Sequence, residues 1–155
     1  AILLTIAIPG YAFLANTSRL AAATNDLVSA IQLARSEAVK RRARVTVCKT
    51  DNAMAATPAC NAAASWQQGW LVFVDGGARG LVDPGDTLLR VQDRAPAAVS
   101  ITASNFSTYI SYKSSGTSQG PNNLATGKLF VCVAGEQRDI VVNSTGRVRL
   151  ESTTC

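Results

Sequence analysis

The sequence predicts an α+β protein in which one long N-terminal helix packs on a head made of antiparallel β-sheet. Two patterns carry this prediction. An uncharged apolar run is followed, in residues 18–42, by apolar residues that recur every three or four positions, whereas short alternating segments separated by turn sequences fill the rest. A chain of 155 residues can also bury a single core, which favours one head over several domains. One helix followed only by strands is typical of an α+β fold.

The first part of the helix, residues 1–15, carries no charge. A helix that spans a bilayer needs about 20 apolar residues, so we expect this run to continue a hydrophobic segment that begins before Ala1. A signal-peptide remnant or a buried helix is the alternative. Pro9 lacks an amide hydrogen and Gly10 adds backbone freedom, so the helix is predicted to bend or melt locally there.

The second part of the helix, residues 18–42, has a single apolar face. Spacings of three and four residues join the members of this stripe, which are Leu20, Thr24, Leu27, Ile31, Ala34 and Ala38. Charged and amide side chains lie off the stripe, and Glu37 precedes Arg41 by four residues, the favourable order for an ion pair on a helix. We therefore expect the stripe to pack on the head.

Beyond Arg42 the apolar period changes to two, and Val45 and Val47 begin the first predicted strand. Further strands are predicted at residues 69–74, 87–92, 99–103, 109–113, 128–133, 139–143 and 147–151. Turn sequences rich in Gly, Asp, Asn and Pro separate them. The chain is accordingly divided into a helix, residues 1–42, and a β-rich head, residues 43–155.

The four cysteines predict disulfides in an oxidising compartment. Their number is even, no CxxC occurs and the chain has no histidine, which disfavours a zinc site and thioredoxin-type redox chemistry. Three connectivities are possible for four cysteines. We favour Cys48–Cys60, which closes a small loop, together with Cys132–Cys155, which holds the C-terminus.

The residues that most enzymes use are missing. The absence of histidine excludes Ser-His-Asp and Cys-His catalysis and removes the commonest metal ligand. The best carboxylate pair, Asp83 and Asp86, flanks Pro84-Gly85, where Asp is favoured for its hydrogen bond to the backbone of a turn. We prefer that turn role to a calcium or acid/base role. The sequence predicts no enzyme activity, no cofactor and no metal.

The formal charge of +5 comes from one short stretch, residues 35–49, because the other 140 residues hold equal numbers of each sign. Its six cations, opposed by Glu37 alone, are Arg35, Lys40, Arg41, Arg42, Arg44 and Lys49. Cations at the end of a helix complement the negative end of its dipole, and this explanation is favoured here. Binding of nucleic acid or of an anionic surface is the alternative.

A second basic feature lies near the C-terminus. If Gly146 closes a turn, Arg147 and Arg149 project from one face of a strand roughly 6.6 Å apart, while the alternate apolar positions, including Leu150, point into the core. Two guanidinium groups at this spacing are able to clamp phosphates, and such binding is independent of sequence and sensitive to salt. Glu151 falls on the same face and weakens the positive field. From the residues alone, a solvated strand face is the favoured interpretation.

Taken together, several segments resemble the GspH/FimT family of type IV pilin-like proteins, over essentially the whole chain. These are the uncharged helix with Pro9, residues 32–41 (QLARSEAVKR), residues 66–75 (WQQGWLVFVD) and the closing residues 146–149 (GRVR). The resemblance implies a prepilin that a prepilin peptidase cleaves, with a characteristic Phe and Glu expected ahead of Ala1. It also implies anchoring of the helix in the bacterial inner membrane, a periplasmic head, and assembly with other pilins into a filament.

FimT-type minor pilins carry a C-terminal Gly-Arg-x-Arg motif that is associated with DNA binding during uptake for natural transformation. The resemblance thus assigns the turn to Gly146 and the contacts with DNA phosphates to Arg147 and Arg149. Three further cations are candidates for extending this surface: Lys113, Lys128 and Arg138. A structural pseudopilin of a type II secretion system, of the GspH type, or a pilus-priming minor pilin without DNA binding is the alternative.

Overall fold

A computed structural model describes the backbone of residues 3–155 and the side chains of residues 11–155. One helix, α1 (Leu3–Arg41), begins the chain, and at 39 residues it is about 58 Å long. The helix continues through Pro9 and Gly10, so the predicted local melting is wrong, while the predicted bend stays a prediction. The segment expected in the membrane is residues 1–15, and its side chains up to and including Gly10 lie outside the described residues. Within the described part of the chain, no helix has both the length and the apolar character needed to cross a bilayer.

The apolar stripe of α1 packs on the head as predicted. Each of its six members is at most 4% exposed: Leu20, Thr24, Leu27, Ile31, Ala34 and Ala38. Ala23 and Ala30 are buried beside them, and their small side chains allow the strands to approach the helix closely. Burial of a large apolar side chain contributes about 1.5–3 kcal/mol, so the stripe stabilises the contact between helix and head.

The end of α1 is stabilised by its charges and by its backbone. Arg42 adopts a positive φ of 52°, and the amide of Ala43 donates a hydrogen bond to the carbonyl oxygen of Ala38 at 3.2 Å. The predicted pair of Glu37 and Arg41 is present, and the hydrogen bond from Arg41 lowers the pKa of Glu37. The boundary between helix and head proposed at residues 42 and 43 falls just after this helix end.

The head consists of two antiparallel sheets. Their strands are β1 (Val45–Lys49), β2 (Trp70–Val74), β3 (Thr87–Gln92), β4 (Ser100–Ser104), β5 (Tyr109–Tyr112), β6 (Ser118–Gln119), β7 (Gly127–Val133), β8 (Glu136–Val142) and β9 (Val148–Thr154). The first sheet has the strand order β3-β2-β1-β5-β6 and the second the order β4-β7-β8-β9. All the predicted strands are present, but the two-residue β6 was missed because so short a segment has no period to detect. Short 3₁₀ helices at Trp66–Gln68 and Pro121–Asn123 complete the elements.

The core lies between α1 and both sheets. Ile110 of β5, Leu129 of β7 and Ile140 of β8 are fully buried against the helix stripe. Trp66 of the first 3₁₀ helix is buried in the same core, and its indole Nε1 donates to the carbonyl oxygen of Phe106, in the loop between β4 and β5, at 3.1 Å. The α+β architecture predicted from the sequence is therefore confirmed.

Both favoured disulfides are present in the structure. Cys48 of β1 bonds Cys60 in the following loop, with 5.6 Å between their Cα atoms. Cys132 of β7 bonds Cys155, the residue after β9, with 6.2 Å between their Cα atoms. The second bond ties the end of β9 to the sheet, at the opposite end of that strand from the β8–β9 turn.

Candidate nucleic-acid interface at the β8–β9 turn

The turn between β8 and β9 is a type I turn followed by a left-handed glycine, a common hairpin connection. The amide of Gly146 donates to the carbonyl oxygen of Asn143 at 2.8 Å, and the amide of Asn143 donates to the carbonyl oxygen of Arg147 at 3.1 Å. The side chain of Asn143 adds to this, because its Oδ1 accepts from the Arg147 amide at 2.9 Å and from the Thr145 hydroxyl at 2.7 Å. The backbone that carries Arg147 is thus held from both sides.

Gly146 occupies a position that admits no other residue without strain. Its φ is +78°, which favours glycine, and a Cβ there would overlap the carbonyl oxygen of Gly116 and lie 2.8 Å from Cε1 of Tyr112. Tyr112 is fully buried, and this burial raises the pKa of its phenol. Gly146 thus occupies the turn position predicted for it, and two independent features require glycine there: the positive φ and the lack of room for a Cβ atom.

Arg35 of α1 joins this turn to a second one. Its Nε donates to the carbonyl oxygen of Gly116 at 3.1 Å, and its Nη2 donates to that of Thr145 at 3.2 Å. Gly116 belongs to the turn after β5, so one guanidinium group fixes two turns against the helix. The helical period placed Arg35 off the apolar stripe, but it carried no information about which carbonyl groups Arg35 meets.

Arg147 and Arg149 lie on the outer face of the second sheet, away from α1. Arg149 pairs with Val141 of β8, and both alternate with residues that face the helix. The side chain of Arg149 is 69% exposed, and Arg147 is also exposed. Arg147 has no carboxylate partner among the described side chains. The two arginines therefore share one accessible face, in the arrangement that the sequence predicted.

Glu151 contacts two cations on the same face. Its Oε1 lies 2.6 Å from Nη2 of Arg149, and its Oε2 lies 3.1 Å from Nζ of Lys128. Lys128 is also 3.4 Å from Oδ2 of Asp139. The hydrogen bond to Glu151 is the main cause that raises the pKa of Lys128. Glu151 thus weakens the positive field of this face by direct pairing.

The three candidates for extending the surface lie in different places. Lys128 is on the outer face and shares Glu151 with Arg149. Arg138 pairs with Ser152 on the opposite, helix-facing side of the sheet. Lys113 is exposed in the turn that contains Gly116, next to the β8–β9 turn. The structure therefore brings Lys128 together with Arg149 but places Arg138 on the other face.

The expectation that Leu150 points into the core is wrong in part. Leu150 pairs with Ile140, whose side chain is buried under α1, so it faces the predicted direction. It is nevertheless 48% exposed, because β9 is the edge strand and α1 packs over β7 and β8. The alternation along a strand predicts the face of a residue, but not whether another element covers it.

Most cations of the basic stretch, residues 35–49, have structural partners. Arg35 binds turn carbonyl groups, Lys40 and Arg41 pair with Glu37, and Arg44 pairs with Asp75. Burial lowers the pKa of Lys49. These contacts favour the structural explanation for the stretch, whereas binding of an anionic partner there stays untested.

The carboxylates at Asp83 and Asp86 bind backbone amides of their own loop. Oδ2 of Asp83 accepts from Ala78 at 2.7 Å, and the two oxygens of Asp86 accept from Gly76 and from Asp83, each at 2.9 Å. This is the turn role favoured above. Among the described residues, no group of three or more His, Cys, Asp or Glu side chains is arranged to hold a metal ion.

A long N-terminal helix laid across an antiparallel β head defines the type IV pilin-like class. Crystal structures of the type IV minor pilin FimU of Pseudomonas aeruginosa share this fold; one of them matches with a TM-score of 0.68 and 20% identity, over 92% of this chain and 96% of that one. The minor pseudopilin EpsH from the type 2 secretion system of Vibrio cholerae matches with a TM-score of 0.58 and 11% identity, over 86% of this chain and 97% of that one. A comparison with curated proteins finds no significant match.

The amino-acid sequence assigns the chain to a family. A family model described as "Type II transport protein GspH" matches residues 23–146. The chain belongs to this GspH family, and it is a pilin-like protein of the class that comprises type IV minor pilins and type II pseudopilins. The matched region ends at Gly146, so Arg147 and Arg149 lie outside it.

Proposed function

We propose that this chain is a minor pilin of a type IV pilus that binds DNA without sequence preference, through Arg147 and Arg149, for DNA uptake in natural transformation. One observation carries the proposal. A turn braced by Asn143, Gly146 and Arg35 holds Arg147, exposed and without a carboxylate partner among the described side chains, on the same face as Arg149. Guanidinium groups on a rigid backbone bind phosphate with little loss of freedom.

Phosphate is the ligand that this chemistry suits. Arg presents several N–H donors in a planar fork that matches phosphate oxygens, and contacts with phosphate carry no sequence information. Each phosphate contact on duplex DNA lowers the slope of log K against log salt by about 0.9, so two contacts give a slope near −1.8. The binding is therefore expected to be weak and to fall about tenfold between 50 and 200 mM salt.

The pilin part of the proposal concerns the other end of the molecule. Tyr11, Phe13 and Leu14 are large apolar side chains on α1, and they are 77%, 65% and 65% exposed. Such a concentration of exposed apolar surface is typical of a contact with other subunits or with lipid. We propose processing by a prepilin peptidase, residence in the inner membrane with the head in the periplasm, and assembly with other pilins into a periplasmic or cell-surface filament.

The test is a salt titration of duplex binding by the 155-residue chain, in which the fluorescence anisotropy of a labelled duplex reports the bound fraction. Arg147→Gln/Arg149→Gln is expected to abolish most binding at low salt and to bring the slope of about −1.8 close to zero. Arg19→Gln/Arg94→Gln removes the same charge from two other exposed sites and is expected to leave most of the affinity. Unchanged affinity of the first variant at low salt would refute the assignment of the site.

A second candidate is a purely structural subunit, either a type II secretion pseudopilin or a pilus-priming minor pilin. The favouring observation is that Glu151 already neutralises Arg149 in part, which leaves Arg147 as the one wholly available guanidinium of the motif among the described side chains. This candidate predicts binding to sibling subunits and no DNA complex at physiological salt. The genes that neighbour the coding sequence discriminate cheaply, because secretion and pilus operons differ.

A further inference from the structure

The outer face of the second sheet carries cations in a row that crosses three strands. The register pairs Lys128 of β7 with Val141 of β8, and Val141 with Arg149 of β9. We call these three residues the basic row. Because neighbouring strands lie about 4.8 Å apart, the backbones of the two cations stand about 10 Å apart, with only an apolar side chain between them.

Two surface depressions follow the basic row. One, of about 330 Å³, is lined by Val141, Asn143, Val148 and both arginines of the motif. The other, of about 340 Å³, shares Val141 and Asn143 with it and continues past Lys128 to Ser104 and Asn105. Cations, amides and hydroxyl groups, all of which can donate to phosphate oxygens, therefore line two adjoining depressions between β9 and β4.

The next row along the same face is acidic. Asp139 of β8 pairs directly with Glu151 of β9. Asp139 is 4% exposed and is fixed by Gln137 at 2.6 Å and by Thr153 at 3.2 Å, so it is a structural residue. Glu151 is different, because its side chain is 35% exposed and its polar contacts are with the two cations of the basic row.

We infer that the phosphate-binding surface is the whole basic row together with Arg147, and that Glu151 limits its affinity by competing with phosphate for Arg149 and Lys128. The inference rests on the proposed DNA binding. A carboxylate that already accepts hydrogen bonds from both cations must release them before a phosphate binds, and its charge then repels that phosphate. Arg149 uses only Nη2 for Glu151 and keeps further N–H donors for phosphate, whereas the single Nζ of Lys128 contacts both Glu151 and Asp139. Lys128 is therefore a phosphate contact only when position 151 is neutral.

The experiment replaces Glu151 by its neutral isostere. In the anisotropy titration with duplex DNA, Glu151→Gln is expected to tighten binding about three- to tenfold at low salt, from the loss of one nearby like charge. The salt slope becomes steeper by about 0.9 as Lys128 gains a phosphate. Lys128→Gln is expected to change little in the wild-type background, and to reverse much of the gain in the Glu151→Gln background.

Glu136→Gln is the matched control. Glu136 is an exposed residue of the same sheet that forms no ion pair among the described side chains, so its replacement changes the net charge equally without touching the basic row. Thermal unfolding followed by circular dichroism establishes that each variant is folded. Glu151→Thr supplies a second neutral, β-favouring side chain if glutamine destabilises β9.

The outcomes separate this inference from the proposed function. Equal affinities of Glu151→Gln and Glu136→Gln, with wild-type binding intact, overturn the role of Glu151 and leave DNA binding standing. An equal effect of Lys128→Gln in both backgrounds overturns the conditional role of Lys128. Absence of binding by the wild type and by Glu151→Gln at low salt overturns both proposals. Binding that appears only in Glu151→Gln supports the restraint by Glu151.

Discussion

Replacement of Gly146 by alanine tests whether the turn is held by conformation alone or also by contact with its neighbours. The left-handed conformation at φ +78° costs an alanine about 1–2 kcal/mol. The added Cβ also overlaps the carbonyl oxygen of Gly116 and crowds the ring of Tyr112 at 2.8 Å, and overpacking of this kind costs about 1–3 kcal/mol. Gly146→Ala is therefore expected to destabilise the fold by about 2–5 kcal/mol.

Gly135 provides the matched control because it lies in the β7–β8 turn with a φ of +90° and has no neighbouring atom within 4 Å of an added Cβ. Gly135→Ala carries only the conformational cost, so the difference between the two variants isolates the steric part, about 1–3 kcal/mol. Urea unfolding with the disulfides intact measures both. With m values of about 1–3 kcal/mol/M, the two midpoints are expected to differ measurably. Equal midpoints would refute the argument that Gly116 and Tyr112 close the space around Gly146.

Two further substitutions test the contacts that support the head. Arg35→Gln removes the charged donor to the carbonyl groups of Gly116 and Thr145, so the free energy of unfolding is expected to fall by about 1–3 kcal/mol. The Gly146 amide is expected to exchange its hydrogen faster, and Gln32→Ala is the exposed control. Unchanged exchange at Gly146 would contradict this bridging role. Asp75→Asn takes the charge from a side chain that is fully buried against Arg44, so the free energy of unfolding in urea is expected to fall by about 2–4 kcal/mol. The exposed Asp93→Asn is the control, and its free energy of unfolding is expected to change by less than about 0.5 kcal/mol. Similar urea midpoints for these two variants would contradict the stabilising role of the buried pair of Asp75 and Arg44.

The sequence was sufficient for the long helix, for every strand except the two-residue β6, and for the class of protein. Residues 18–42 encode their own buried face, because helical geometry alone brings every third or fourth residue to one side. The strands were similarly predictable, since alternation and turn residues act over a few positions. The favoured cysteine pairs followed from loop length and from the need to hold the C-terminus.

The residues of the motif and the turn role of Gly146 were predictable from the sequence, but the contacts that support the turn were not. Arg147 and Arg149 share a face because side chains alternate along any strand. The bridge from Arg35 to Thr145 spans 110 positions, and the contact of Gly116 with Gly146 joins two turns that are distant in sequence. No local pattern encodes such contacts, which is why the supporting residues of the turn were missed.

The sequence by itself determined which residues form the helix and strands and which face of each is apolar, because those properties depend on neighbours within a few positions. Only the tertiary structure decided that β9 is an edge strand with Leu150 half exposed, and that Glu151 is shared between Arg149 and Lys128. These facts depend on strand order and register. Both are outcomes of packing the whole head on α1, where the charges of three strands first come within reach of one another.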